Sequence, residues 1–120
     1  MEEKSRQISE RLLDYGFKII KIATKLNKTP AGRHIGNQLL RAGTSVGANY
    51  EEACGAESRV DFIHKLKIVL KESRESAYWL KLIFKASLIK DENIEELIQE
   101  TKELSNIVAK SIITAKSKQR

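Results

Sequence analysis

The sequence predicts an all-α protein: an antiparallel, up-down-up-down four-helix bundle that occupies residues 1–120 as one domain. Three observations predict this class. Four long segments repeat apolar residues at the spacing of an α-helix. The connections between these segments are short, which favours antiparallel packing of neighbouring helices. The chain has one proline, six glycines and few aromatic residues, which argues against an all-β sandwich or barrel.

The first predicted helix runs from about Ser5 to Lys28. Apolar residues spaced by four and three positions form its expected core seam: Ile8, Leu12, Tyr15, Ile19, Ile22 and Leu26. Three more apolar residues fall outside the seam: Leu13, Phe17 and Ile20. The apolar arc is therefore wider than one packing partner needs. Thr29 is the predicted N-cap of the next helix, and Pro30 suits its first position.

The second predicted helix, from about Ala31 to Glu57, is crowded with small residues: Gly32, Gly36, Ala42, Gly43, Gly47, Ala48, Ala53, Gly55 and Ala56. An interior glycine costs a helix about 1 kcal/mol relative to alanine. We therefore expect a structural reason for glycine at these positions. Either another helix backbone approaches closely, or the helix bends near residues 43–47.

The third predicted helix spans about Ser58 to Ser87, and the fourth begins near Asp91. The expected seam of the third helix consists of Phe62, Leu66, Val69, Ser73, Ala77, Leu80 and Phe84. The expected apolar face of the fourth consists of Ile94, Leu97, Ile98, Thr101, Leu104, Val108, Ile112 and Ala115. Acidic residues in its first turn suit the helix dipole. The tail at 116–120 is expected to fray.

Composition excludes several classes of protein. With 41% hydrophobic and 32% charged residues, the chain can bury a core and is not compositionally disordered. Cys54 is the only cysteine, which excludes an internal disulfide and a Cys-rich zinc site, and we expect a buried thiol. His34 and His64 lack further ligands at metal spacing, so no metal or cofactor is predicted. Charges interrupt the first apolar stretch, so we expect a soluble cytoplasmic protein without a signal peptide or membrane span.

The formal net charge is +6, and most of the excess lies on the first and third helices. On the third helix, one face carries a continuous ridge without an acid: Lys67, Lys71, Arg74, Tyr78, Lys81 and Lys85. On the first helix, a second strip is diluted by Asp14: Arg11, Lys18, Lys21, Lys25 and Lys28. These cations could bind phosphates, form an ordinary solvated face, or pair with an acidic ridge of a neighbouring subunit: Glu92, Glu96, Glu100 and Glu103.

A polar row follows one face of the second helix: Gln38, Arg41, Ser45, Asn49 and Glu52. A second polar set lies beside the seam of the third helix: Lys65, Glu72, Glu75 and Trp79. Partly buried polar rows persist when their members bond one another. We therefore expect Arg41 to pair with Glu52 or Glu72, and Asn49 or Gln38 to bond backbone groups. Such a network typically sets helix register or an oligomer contact.

Residues 38–53 read QLLRAGTSVGANYEEA, and further motifs follow in order at 57–58, 61–66, 71–76 and 78–80. Together they resemble the signature of the four-helix-bundle proteins named after 23S rRNA intervening sequences. Ser73 and Ser76 depart from the alanine and threonine that are common there. The resemblance covers nearly the whole chain.

The resemblance implies an antiparallel bundle that assembles into a ring, commonly a homopentamer. Related proteins include the accessory variability protein of diversity-generating retroelements, a basic pentameric barrel that binds reverse transcriptase and nucleic acid. Most members have no established biochemical activity.

Three functions are compatible with these residues. The leading hypothesis is a non-catalytic oligomeric scaffold that binds RNA or DNA through the third-helix ridge, assisted by Lys18, Lys21 and Lys25. The second is an adaptor for an acidic protein partner. The third is a helical ribonuclease, because Arg59 and His64 have the spacing of the HEPN motif. Five residues on a helix place two side chains about 140° apart, which argues against that site within one subunit.

Overall fold

The computed structural model describes residues 2–90 and 93–118 and contains four α-helices: α1 (Glu3–Lys25), α2 (Pro30–Cys54), α3 (Arg59–Ala86) and α4 (Asn93–Ser117). No strand occurs in these two ranges. The predicted all-α, four-helix composition is therefore confirmed. None of the helices is long and apolar enough, over the described residues, to cross a membrane.

The helix boundaries follow local capping chemistry. The Thr29 side chain accepts a hydrogen bond from the backbone N–H of Gly32 at 3.0 Å, and Pro30 occupies the first position of α2, as predicted. Ser58 caps α3 by accepting from the Asp61 N–H at 3.1 Å, so α3 begins one residue later than expected. Ser87 ends α3 in the left-handed region, with φ of 51°.

Other predicted boundaries shift as well. α1 ends at Lys25 instead of Lys28, and α2 ends at Cys54 instead of Glu57. α4 stays helical through Ser117, so the start of the predicted frayed tail is ordered as helix. Asp91, Gln119 and Arg120 lie outside the described residues. These shifts are small because helix ends depend on caps that periodicity alone does not locate.

The α1 seam and the α4 face match their predictions, but part of the α3 seam was wrong. All six predicted α1 seam residues are buried. On α3, Phe84 is 51% exposed, while Phe62 and Ala77 are only half-buried. The buried line runs instead through Ile63, Leu66, Val69, Glu72, Ser73, Ser76, Leu80 and Ile83. α3 packs against both α2 and α4, so its buried arc is wide. Where two apolar residues are adjacent, as at Phe62 and Ile63 or Ile83 and Phe84, helical spacing does not show which one is buried.

The glycines of α2 allow α1 to approach closely. A Cβ atom at Gly43 would lie 2.7 Å from the side chain of buried Ile19, and one at Gly36 would lie 3.2 Å from Leu26. A Cβ atom at Gly32 would clash with the Leu26 carbonyl. The predicted close approach is therefore confirmed at these three glycines. α2 is helical throughout 43–47.

Polar contacts also join helices inside the bundle. The Tyr15 hydroxyl lies 2.7 Å from the Thr101 Oγ1, between α1 and α4, and both residues are buried. Burial raises the pKa of Tyr15 to about 12, so its phenol stays neutral. The Ser73 and Ser105 hydroxyls meet at 2.8 Å between α3 and α4. In residues 2–90 and 93–118, every buried side-chain nitrogen or oxygen has a partner.

The helices pack in chain order, with α1 on α2, α2 on α3 and α3 on α4. α1 and α4 pack against each other less extensively than these pairs, and grooves open between them. The described part of the molecule is elongated, about 50 × 22 × 20 Å. The outer face of α3 and the grooves beside α1 are thus the long accessible surfaces.

Candidate nucleic-acid interface

The basic ridge of α3 is exposed along its whole length: Lys67, Lys71, Arg74, Tyr78, Lys81 and Lys85. Tyr78 is 58% exposed in the middle of this ridge. Over residues 2–90 and 93–118, no carboxylate forms an ion pair with any of these cations. The ridge therefore presents cations that have no carboxylate in ion-pair contact, together with an accessible aromatic ring.

The α1 strip, defined by Arg11, Lys18, Lys21, Lys25 and Lys28, differs because several of its cations have partners. Arg11 donates from Nε and Nη2 to the two carboxylate oxygens of Glu100, at 2.8 and 2.6 Å, and lies 3.4 Å from Glu103. The bond to Glu100 raises the pKa of Arg11. This pairing also occupies two members of the acidic ridge of α4 within the same chain.

Two lysines of the α1 strip, Lys18 and Lys21, are also engaged. Lys18 forms an ion pair with Asp14 at 3.1 Å, one helical turn away. The Lys21 ammonium lies 5.3 Å from the centroid of the Phe17 ring, which is cation–π distance. Lys18, Lys21 and Lys25 also border a groove that contains Glu96 and Glu100 of α4. The predicted assisting lysines therefore contribute less free charge than the ridge.

Beside the ridge, residues of the two predicted polar rows bond one another. They form an α2–α3 network: Arg41, Glu72, Glu75 and Trp79. Arg41 donates to Glu72 at 3.2 Å and also to Glu75, and the Trp79 indole N–H donates to Glu75 at 3.1 Å. The predicted pairing of Arg41 with Glu72 is confirmed. The alternative with Glu52 is wrong, because Glu52 lies 3.5 Å from Lys65 farther along the helices.

Hydrogen bonding keeps this network charged. The Trp79 N–H and then Arg41 lower the pKa of Glu75, and the charge of Lys71 acts in the same direction. The bond to Glu75 raises the pKa of Arg41. Glu72 is buried, and Arg41 supplies its opposite charge. The network therefore joins α2 to α3 beside the ridge.

The remaining residues of the α2 row bond their own helix. Ser45 donates to the Arg41 carbonyl at 2.6 Å, and Asn49 donates to the Ser45 carbonyl at 2.8 Å, as expected for Asn49. Gln38 is half-buried on the same face.

The sequence argument missed an aromatic cluster beside this network. The rings of His34 and Trp79 meet edge-on with centroids 6.3 Å apart, and the Tyr78 centroid is 5.0 Å from that of Trp79. The sequence did contain an indication of this cluster, because His34 lies seven residues before Arg41 and so shares its helix face. Trp79 thus links the network to the exposed tyrosine of the ridge.

The remaining singled-out residues are the Arg59 and His64 pair and the cysteine. Arg59 and His64 are both exposed on α3. Cys54 is half-buried instead of fully buried, and desolvation raises the pKa of its thiol. Over the described ranges, no three His, Cys, Asp or Glu side chains are grouped as metal ligands.

An α1–α2 apolar groove forms the other distinctive surface: Leu13, Gly16, Phe17, Ile20, Thr44, Gly47 and Ala48. Leu13 is 77% exposed and Phe17 is 58% exposed, so the apolar residues outside the α1 seam do face outward. A Cβ atom at Gly16 would meet nothing within 4 Å. The groove combines large exposed apolar groups with residues small enough to admit them.

Comparison with known proteins agrees with this arrangement of helices. The family described as 23S rRNA-intervening sequence protein matches residues 4–110. The chain belongs to this family. It is also similar to a crystal structure of a protein of unknown function from the S23 ribosomal protein family of Bacteroides thetaiotaomicron VPI-5482. The two are 34% identical with a TM-score of 0.83, over 91% of this chain and 97% of the other. No curated protein matches the chain.

Membership of the 23S rRNA-intervening sequence family confirms the resemblance that the motifs at 38–80 predicted. The match extends across all four helices. It includes both the α2–α3 network and the basic ridge, which lie on α2 and α3.

Proposed function

We propose that this protein is a non-catalytic, oligomeric scaffold that binds RNA or DNA through the basic ridge of α3, without sequence specificity. The observation that carries the proposal is the absence of acidic partners for the ridge among the described residues. Like charges one turn apart repel, so bare cations carry a small folding cost. A phosphate backbone would offset this cost and release its counterions.

The dimensions of the ridge suit a nucleic-acid strand. From Lys67 to Lys85 a helix rises about 27 Å, at about 1.5 Å per residue. Five cations along that length can follow a backbone without contacting base edges. Tyr78 supplies a ring on which a base can stack, and such stacking contributes about 1–3 kcal/mol per base and tolerates any sequence.

We further propose that the four helices form an antiparallel bundle. Gly47 lies near Leu12, Gly43 near Ile19, and Gly36 near Leu26. Residue numbers rise along α1 as those of their contacts fall along α2, which supports opposite directions for the two helices.

The oligomer that we propose is a ring, a homopentamer as the family resemblance implies, and the protein is expected to act in the cytoplasm. The α1–α2 apolar groove supports this proposal, because a second copy would bury Leu13 and Phe17, which one subunit leaves exposed. Several ridges on one ring would bind a single strand with higher avidity than one ridge.

A salt titration tests the nucleic-acid proposal. Anisotropy of labelled 20-nucleotide RNA, single-stranded DNA and duplex DNA is measured from low to physiological salt. For the duplex we expect a slope of log affinity on log salt on the order of −4, if the five ridge cations each contact a phosphate. Lys71→Glu with Arg74→Glu should weaken binding at least tenfold.

The matched control carries the same charge change on α4. Lys102→Glu with Lys116→Glu alters two exposed cations away from the ridge and should retain most of the affinity. Equal losses in both variants, or no binding at low salt, would overturn the proposal. Retention of an acidic protein after nuclease treatment, with no nucleic-acid binding, would favour the adaptor function instead.

Two measurements test the rest of the proposal. Light scattering after nuclease treatment should give a multiple of the 13.6 kDa protomer mass. Leu13→Asp should reduce that mass, while Ile113→Asp, at another exposed apolar residue on α4, should leave it unchanged. RNA incubated with the protein should stay intact, and cleavage lost on His64→Ala would contradict the non-catalytic assignment.

A further inference from the structure

A cleft of about 740 Å³ opens at one end of the bundle, away from the centre of the ridge. It lies between the first turns of α1 and α3 and the last turns of α4, where α1 and α4 separate. We call it the end cleft and define it by its cations and its apolar floor. The cations are Lys4, Arg59, Lys110 and Lys118, and the floor is Ile8, Phe62 and Ile107.

The charge of the end cleft favours an anion. Its lining includes these four cations and Arg11, against one acid, Glu2. Glu100 and Glu103 compensate Arg11, but no described carboxylate pairs with the other four cations. A cleft lined by one sign of charge concentrates ligands of the opposite sign.

The floor of the end cleft suits a planar, partly polar body. Phe62 and Ile107 are half-buried and present an aromatic ring beside an aliphatic side chain. Hydroxyl groups line the same cleft: Ser5, Tyr50, Ser111 and Thr114. Burial raises the pKa of Tyr50 to about 12, so its phenol is neutral, and it already bonds Ser5 and Cys54. An alkyl chain would desolvate these hydroxyls without bonding them.

We propose that the end cleft binds a nucleoside monophosphate, with its base against Phe62 and Ile107 and its phosphate between Arg59 and Lys110. The cleft volume lies in the range of about 300–1,000 Å³ that is usual for small-molecule sites. The phosphate carries about −1.5 to −2 charge at neutral pH, which Arg59 and Lys110 oppose. For the sugar, the Thr114 hydroxyl lines the same cleft, and Ser111, which donates to the Ile107 carbonyl at 3.0 Å, can still accept a hydrogen bond. This site does not depend on the basic ridge.

Calorimetry with AMP, adenosine, inorganic phosphate and laurate on the full chain tests this proposal. AMP should bind at least tenfold more tightly than adenosine or phosphate, because it engages both the floor and the cations. Arg59→Ala with Lys110→Ala should weaken AMP at least tenfold and leave adenosine unchanged. Both residues are exposed, so thermal unfolding should match the unmodified chain. Phe62→Leu should weaken AMP and adenosine but not phosphate.

The ridge variants separate this proposal from nucleic-acid binding. Lys81→Ala with Lys85→Ala removes the same charge from α3 outside the end cleft and should leave AMP affinity unchanged. Lys71→Glu with Arg74→Glu should lose strand binding and keep AMP. AMP binding no tighter than phosphate, equal competition by laurate, or full AMP affinity after Arg59→Ala with Lys110→Ala would overturn the nucleotide site.

Discussion

The basic ridge of α3 and the α1 strip repeat cations at similar helical spacing, yet their charges meet different surroundings. Arg11 of the strip is held by two carboxylates of α4, and Lys18 pairs with Asp14 of its own helix. The ridge has no comparable acid within the described residues. Helical spacing therefore shows which cations share a face, but neighbouring helices decide whether their charge is available to a ligand.

The largest expected difference is in strand binding. Lys81→Glu with Lys85→Glu should weaken RNA binding on the order of 100-fold at low salt, because two phosphate contacts become repulsive. Lys18→Glu with Lys21→Glu should weaken it less than about threefold, since nearby acids already offset those lysines. Anisotropy at matched salt measures both. Comparable losses would show that the strip is part of the binding surface.

A second difference concerns stability. Arg11→Ala should lower the free energy of unfolding by about 1 kcal/mol, because the two-point bond to Glu100 is lost. Lys67→Ala should change it by less than about 0.5 kcal/mol, as for most exposed surface residues. Urea unfolding of both variants provides the measurement. A larger cost for Lys67→Ala would contradict the assignment of a bare ridge.

Glu75, beside the ridge, makes the stability of the fold depend on pH. Its pKa is lower in the folded state than the ordinary 4.5, so its contribution to stability is complete above that value. The contribution is lost as pH falls through the lowered pKa. Glu75→Gln should therefore lose less stability than the unmodified chain between about pH 5 and pH 3.

The same variant should tighten RNA binding about two- to threefold at neutral pH, because it removes the negative charge nearest Lys71. Glu95→Gln, an equal charge change at an exposed residue of α4, is the control. An equal gain in the control would mean that net charge alone, and not the position of Glu75, sets affinity.

The smallest expected effects have opposite signs. Lys81→Gln should stabilise the fold by a few tenths of a kcal/mol, because Lys81 and Lys85 repel one turn apart. Lys18→Gln should destabilise it by a similar amount, because the 3.1 Å pair with Asp14 is lost. Thermal melts at low salt resolve these changes. Both shifts should shrink in high salt, since these charges are exposed.

The sequence was sufficient for features that depend on near neighbours in the chain. Thr29 and Pro30 mark the start of α2, and all six seam residues of α1 are buried. The polar rows also narrowed the partner of Arg41 to Glu52 or Glu72, and the structure selects Glu72. Other contacts were not predictable. Arg11 and Glu100 are 89 residues apart, and their helices are not consecutive.

By itself, the sequence determined the four helices, the Thr29 cap of α2, the apolar arc of α1 and the cations that share a face on α3. These features follow from backbone geometry and helical spacing, which act over a few residues. Tertiary structure decided which charges are neutralised, which of two adjacent apolar residues on α3 is buried, and where the end cleft opens. Each of these depends on the distance between side chains from helices that are remote in the chain, and only packing of the bundle sets that distance.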